Sequence, residues 1–206
     1  SSRGLGSSAT CILAGVLASN HFNKLNKSYD ECVQFAANLE GHPDNVYACA
    51  FGGLVSVFKD DEWYYHTSHE VSDKIKFQVL IPNELGNTKE LRNVLPKEVK
   101  MEDAIFNISR TLSLPSAIKK GDFKLLKKIL KDKLHQPYRF LFIQNNEEIK
   151  QLNQDENTIA IISGSGPTVL LITPIDSTTT LSKSLLEIYR CVTVKVSEET
   201  KLEVLK

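Results

Sequence analysis

The sequence carries no excess of charge: 25 basic side chains stand against 25 acidic ones, for a net charge of zero. That removes any global electrostatic pull toward nucleic acid or a membrane surface. No uninterrupted apolar run approaches the ~20 residues that span a bilayer as a helix, and the first residues show no signal-peptide pattern. Cysteine is sparse. Cys11, Cys32, Cys49 and Cys191 form no C-x-x-C pair, which argues against a disulfide framework and predicts buried, reduced thiols in a cytoplasmic protein. His66 and His69 fall in a strand-like stretch without a third ligand, so they do not read as a zinc site. There is no internal repeat, low-complexity tract or long linker. With 41% hydrophobic and 24% charged residues the composition is that of a soluble globular protein, one large domain or two small ones.

What is present starts at the first residue. Ser1-Ser2-Arg3-Gly4-Leu5-Gly6-Ser7-Ser8-Ala9-Thr10 is a glycine-rich turn feeding a helical pattern, with Ile12, Leu13, Val16 and Leu17 expected on one face. Such a turn is an anion site. Glycines let the backbone approach a phosphate, and the free N–H groups of the first helical turn point at it. The loop lacks the Gly-Lys-Ser/Thr ending of a Walker A motif and the third glycine of a dinucleotide fingerprint, which disfavours both of those folds. Phosphate loops normally follow a strand, and here almost nothing precedes the loop, so a missing N-terminal part is expected.

Periodicity predicts helices over 7–23 and 28–39, and a short one from Asp44. Strands are expected at 54–59 and 63–67 around Asp60-Asp61-Glu62, and at 77–82, stopped by Pro82. Helices follow at 88–95, 101–114, 122–134 and 143–154. Strands 159–162 and 169–173 flank Gly164-Ser165-Gly166-Pro167, and helix 178–189 and strand 192–196 complete the outline. The lysine-rich stretch 119–133 reads as an amphipathic helix with a solvated face rather than a nucleic-acid patch. The order strand–helix–strand–strand–helix–strand, with extra helices inserted, gives an α+β layout of helices on a mostly antiparallel sheet.

Two further motifs are ambiguous alone. Leu39-Glu40-Gly41-His42-Pro43-Asp44-Asn45 gathers two carboxylates and a histidine around a glycine and a proline, but could be only a helix stop and restart. Ser163-Gly164-Ser165-Gly166-Pro167-Thr168 could be only a tight hairpin. In this order, however, the three motifs resemble the GHMP kinases, and within them most closely the homoserine kinase family. Asp103-Ala104-Ile105-Phe106-Asn107-Ile108-Ser109-Arg110 and His135-Gln136-Pro137-Tyr138-Arg139 match two stretches that separate that family from its relatives.

The resemblance implies a two-domain GHMP kinase fold: a partial N-terminal nucleotide-binding domain over 1–75 and a ferredoxin-like C-terminal domain with inserted helices over 76–206. The family places a further segment upstream of the phosphate loop, which should supply strands covering the first helix. The 206 residues alone are therefore expected to lack useful activity. The implied reaction is transfer of the γ-phosphoryl of ATP to the hydroxyl of L-homoserine, giving O-phospho-L-homoserine for threonine biosynthesis. Arg3, Gly4, Leu5, Gly6, Ser7, Ser8 and Ala9, with Gly164, Ser165 and Gly166, would bind ATP. Ser8 and Glu40 would hold Mg²⁺, a hard cation served by oxygen ligands. Arg110 and Arg139 would fork onto the substrate carboxylate. His42 and Asp44 would lie on the substrate side, with Asp44 as a positioning group first and a base second. No nucleic-acid or membrane partner is implied, and a homodimer is left open. The motifs also admit another GHMP small-molecule kinase, or a non-catalytic module of the same fold.

Overall fold

The computed structural model describes residues 4–84, 93–197 and 200, so Arg3 and most of the helix expected at 88–95 lie outside the described residues. The chain divides into two compact units: Gly6–Glu70 with Val196–Lys206, and Val71–Lys195 with Ser1–Leu5.

In the first unit, α1 (Ser7–Phe22), α2 (Tyr29–Glu40) and α3 (Pro43–Phe51) pack with a hairpin of β1 (Leu54–Asp60) and β2 (Trp63–His69). The α2 helix starts where local chemistry dictates. Ser28 Oγ accepts from Glu31 N at 3.2 Å, and Glu31 returns a carboxylate oxygen to Ser28 N at 2.9 Å, a reciprocal capping box. Small buried residues, Ala9 on α1, Ala36 and Ala37 on α2, and Ala50 on α3, let the three helices approach closely around Leu13, Val33 and Val46. The expected face of α1 divides in two. Leu13 and Leu17 are buried, whereas Ile12 and Val16 are partly buried at the edge and line an apolar groove of about 620 Å³ with Phe35, Leu39 and Trp63. Cys32 is buried, Cys49 and Cys191 are half-buried and all four thiols are free, but Cys11 is exposed, against the expectation of burial.

The hairpin has a two-residue loop, with Asp60 opposite Trp63 and Leu54 opposite His69. A buried glutamine fastens it to the helices. Gln34 Nε2 donates to Glu62 O at 2.8 Å, and its Oε1 accepts from Tyr64 N at 3.0 Å and from Tyr47 Oη at 3.2 Å.

In the second unit the strands are β3 (Ile75–Pro82), β4 (Ile159–Ile162), β5 (Val169–Pro174) and β6 (Tyr189–Val194). They lie in the order β4-β5-β3-β6 with every pair antiparallel. Between β3 and β4 come α4 (Met101–Thr111), α5 (Leu114–Lys120), α6 (Phe123–Ile129), α7 (Gln136–Arg139), a 3-10 turn at Phe140–Phe142, and α8 (Asn146–Leu152); α9 (Lys183–Ile188) joins β5 to β6. This is the expected α+β, ferredoxin-like outline. Leu80, Ile149, Ala160, Val169, Leu171 and Leu185 form its core.

Three helices differ from expectation. The stretch 101–114 ends at Thr111, and Pro115 opens a separate α5, since proline fits the first turn of a helix and not its interior. The stretch 122–134 stops at Ile129, with Leu130 already out of helical conformation at φ −77°, ψ 50°. The stretch 178–189 shrinks to Lys183–Ile188, started by Ser182 Oγ accepting from Leu185 N at 3.1 Å, and β6 takes over at Tyr189. Lys127 Nζ, on α6, gathers the carbonyls of Asn153, Asp155 and Thr158, and so fixes the approach to β4. Among the described residues no helix is long and apolar enough to cross a membrane.

The hairpin's dependence on one side chain is testable. Gln34→Ala should destabilise the chain by about 1–3 kcal/mol, because Tyr64 N and Glu62 O lose buried partners. Urea unfolding followed by far-UV circular dichroism measures it.

Candidate active site

The 16-residue α1 begins at Gly6, which takes a left-handed conformation (φ 68°) that glycine adopts without a Cβ penalty. No side chain caps this end and no acidic residue sits in its first turn. Thr10 N closes onto Gly6 O at 3.0 Å, while the amides at the start of the helix carry the positive end of its dipole. Ser7 and Ser8 are exposed there and Ala9 is buried beneath them.

Within the same unit, Ser8 Oγ donates to Glu40 Oε2 at 2.7 Å. Glu40 is the last residue of α2. Gly41 caps that helix in the left-handed region (φ 75°), His42 turns extended (φ −141°, ψ 111°), and Pro43 opens α3 with Asp44 in its first turn. The helix stop and restart is therefore real, and it places Glu40 against Ser8. His42 and Asp44 are exposed. Asn45, not anticipated as a site residue, lies beside the loop: a Cβ on Gly6 would meet its Oδ1 at 3.7 Å. The sequence signal was its place inside the quoted motif.

In the other unit the second glycine loop meets the first residues of the chain. A Cβ on Gly4 (φ 77°) would fall 2.7 Å from Gly166 O and 2.8 Å from Ser163 O, so only glycine fits. Ser163 Oγ donates to Gly4 O at 2.9 Å, an anchoring role not read from the sequence. Gly164 and Gly166 take φ of 57° and 84°. The second loop thus packs directly against Gly4. Leu5 is exposed and Ser165 half-buried.

The two arginines are ordered by different means. Arg110, on α4, lies over the Phe106 ring with Cζ 3.3 Å from its centroid, and its Nη1 donates to Phe106 O at 3.0 Å. Its Nε is buried without a hydrogen-bond partner. Arg139, at the end of α7, donates from Nη1 to Gly164 O at 3.2 Å. Both guanidiniums are thus presented from the unit that carries the second glycine loop.

The donor set suits a magnesium ion. Ser8 and Glu40 bring a hydroxyl and a carboxylate oxygen to one point, which matches a cation that takes few protein ligands and completes its shell with phosphates and water. Among the described residues no three His, Cys, Asp or Glu side chains gather into a metal site. His69 Nε2 lies 2.9 Å from Ser56 Oγ, and His66 stacks on Phe51 with centroids 3.9 Å apart.

Comparison with known proteins converges on one family. The profile of the GHMP kinases N terminal domain matches residues 1–53. A homoserine kinase of Clostridium botulinum is 41% identical over 174 residues, covering 83% of this chain and 58% of the relative. One from Clostridium beijerinckii is 38% identical over 172 residues, again 83% of this chain and 58% of the relative. The chain thus spans 58% of the length of these curated relatives. The crystal structure of homoserine kinase from Cytophaga hutchinsonii shares the fold, with a TM-score of 0.80 at 24% identity over 96% of this chain and 67% of that one. Residues 1–53 thus carry the N-terminal domain of the GHMP kinases, and over 83% of its length the chain is similar to homoserine kinases.

Proposed function

We propose that the protein is a homoserine kinase that transfers the γ-phosphoryl of ATP to the side-chain hydroxyl of L-homoserine. The observation that carries this reading is the Ser8–Glu40 oxygen pair, 2.7 Å apart at the uncapped start of α1. In this reading residues 1–75 are the remainder of a nucleotide-binding domain and 76–206 the C-terminal domain. The place of work is the cytoplasm, and no nucleic acid or membrane takes part.

Phosphoryl transfer asks little covalent chemistry of a protein. The phosphates must be held, their charge offset, and the acceptor oxygen placed in line. The amides of Gly4–Ala9, with Arg3 before them, hold the phosphates, and the loop Gly164-Ser165-Gly166 packs beside Gly4 to shape that cradle. Ser8 and Glu40 would hold Mg²⁺, which would supply charge neutralisation on the transferring group. Arg110 and Arg139 fork onto the carboxylate of homoserine. His42 and Asp44 orient the amino-alcohol end. The homoserine hydroxyl oxygen forms the new bond to phosphorus as the bond to the bridging oxygen of ADP breaks. Its proton leaves to solvent or to Asp44, whose first task is positioning.

The test is homoserine-dependent ADP release by the natively expressed protein, with O-phospho-L-homoserine identified by phosphorus NMR. Equal turnover of mevalonate or galactose would favour another GHMP kinase, and no turnover of any alcohol would favour a non-catalytic module. In the active protein, Arg110→Ala and Arg139→Ala should each raise the homoserine KM about ten- to a hundredfold, for roughly 1.5–3 kcal/mol of charge-assisted hydrogen bonding, and leave the ATP KM nearly unchanged. Glu40→Gln should lower kcat by at least about a hundredfold without changing the melting temperature, because it removes a ligand charge and no core packing. A wild-type rate with the amide would exclude Glu40 as a metal ligand.

A further inference from the structure

The two arginines stand on separate helices 29 positions apart in sequence, yet one half-buried carboxylate is bonded to both helices. Asp132 sits in the segment between α6 and α7, with its side chain only 10% exposed. Its Oδ1 accepts from Asn107 Nδ2 at 2.6 Å and from Leu134 N at 3.2 Å. Its Oδ2 accepts from His135 N at 2.8 Å and Gln136 N at 2.6 Å, at the start of α7. Asn107 lies on α4, one turn before Arg110, and its Oδ1 accepts in turn from Lys133 N at 3.0 Å.

The hub reaches further on both sides. Lys133 Nζ pairs with Asp103 at 2.8 Å and lies 4.7 Å from the centroid of the Phe106 ring that carries Arg110. On the other side, Gln136 Oε1 accepts from Ile162 N at 3.0 Å and fixes α7 to the end of β4. Arg139 leaves that short helix to meet Gly164 O. Burial opposes ionisation of Asp132, but the donors from Gln136, Asn107 and His135 outweigh it and hold the carboxyl below its ordinary value of 3.8. Burial pushes the neighbouring His135 imidazole down, so His135 brings Asp132 a backbone amide and not an ion pair at neutral pH.

We propose that Asp132 is a positioning residue that sets both arginines of the acceptor site at once, Arg110 through Asn107 and Arg139 through the amides of His135 and Gln136. This rests on the reading of Arg110 and Arg139 as the carboxylate fork. A helix cap alone would require only the Oδ2 contacts. The Asn107 bond gives Asp132 its second function, because it joins α4 to the amides that start α7, beside the tie that Lys133 makes to Asn107 and Asp103.

The test reads the arginines directly. In the chain labelled with ¹⁵N-arginine, the Nε–H signals of Arg110 and Arg139 report their surroundings, and that of Arg190, exposed on β6, serves as control. Asp132→Ala should shift and broaden both site signals and leave Arg190 in place. Asn107→Ala should move Arg110 and spare Arg139. Should Asp132→Ala fail to fold by its melting curve, Asp132→Asn keeps the volume and one acceptor but sets an NH2 against donors on one side, Asn107 and Leu134 or His135 and Gln136, and should displace Arg110 or Arg139. Unmoved site signals in a folded Asp132 variant, or an equal change at Arg190, would overturn the proposal. Titration with homoserine and with its decarboxylated analogue, an aminopropanol, adds the functional readout. Asp132→Asn should weaken homoserine about tenfold and leave the analogue unchanged. A wild-type chain that ignores homoserine would remove the acceptor assignment, while the arginine signals would still decide the role of Asp132.

Discussion

Two strands of bare backbone meet at Gly4 and Gly166, and no side chain can stand between them. A Cβ at Gly4 would lie under 3.0 Å from three backbone atoms, two carbonyl oxygens among them. The contact is reinforced by the Ser163 hydroxyl on Gly4 O, and the second loop is closed on itself by Ser163 N on Thr168 O at 2.9 Å. That loop is no free tip. It grows from β4, whose residues Ala160 and Ile162 belong to the buried core. Gly4 is thus fastened to a loop that the four-stranded sheet carries.

At the other end of the same loop, the chemistry depends on how one helix stops. Glu40 faces Ser8 because α2 ends there, on a left-handed glycine, and the chain turns away through His42 and Pro43. A helix running one turn further would leave Asp44 and Asn45 without a new helix to stand on. The local rules of capping and the placement of the candidate ligand are one requirement.

Much of the fold was legible because local and global preferences agree. Ser28 and Glu31 announce the start of α2, the polar pair after Asp60 announces the hairpin, and Pro82 marks the end of β3. The glycine motifs were legible since only glycine tolerates their conformations. What stayed hidden has a common cause, a polar side chain taking backbone groups from residues distant in sequence. Periodicity carries 122–134 as one helix, but Asp132 draws amides after Leu130 into a different turn. Gln34 is an uncharged polar side chain on α2 that periodicity does not single out, yet it is buried and holds a hairpin that starts twenty residues later. The arginines were visible through their motifs, whereas the Asn107–Asp132 bond that spaces their helices has no signature in one sequence. The splitting of the α1 face, with Ile12 and Val16 on a groove instead of in the core, is likewise a fact of packing and not of period.

The stacking of Arg110 on Phe106 carries one more consequence. With Cζ 3.3 Å from the ring centroid and Nη1 donating to Phe106 O, the guanidinium is fastened twice to the residue one turn before it on the same helix. Its charge therefore travels with α4 as part of one body: whatever tilts the helix tilts the cation, and no other element has to be rebuilt to move it.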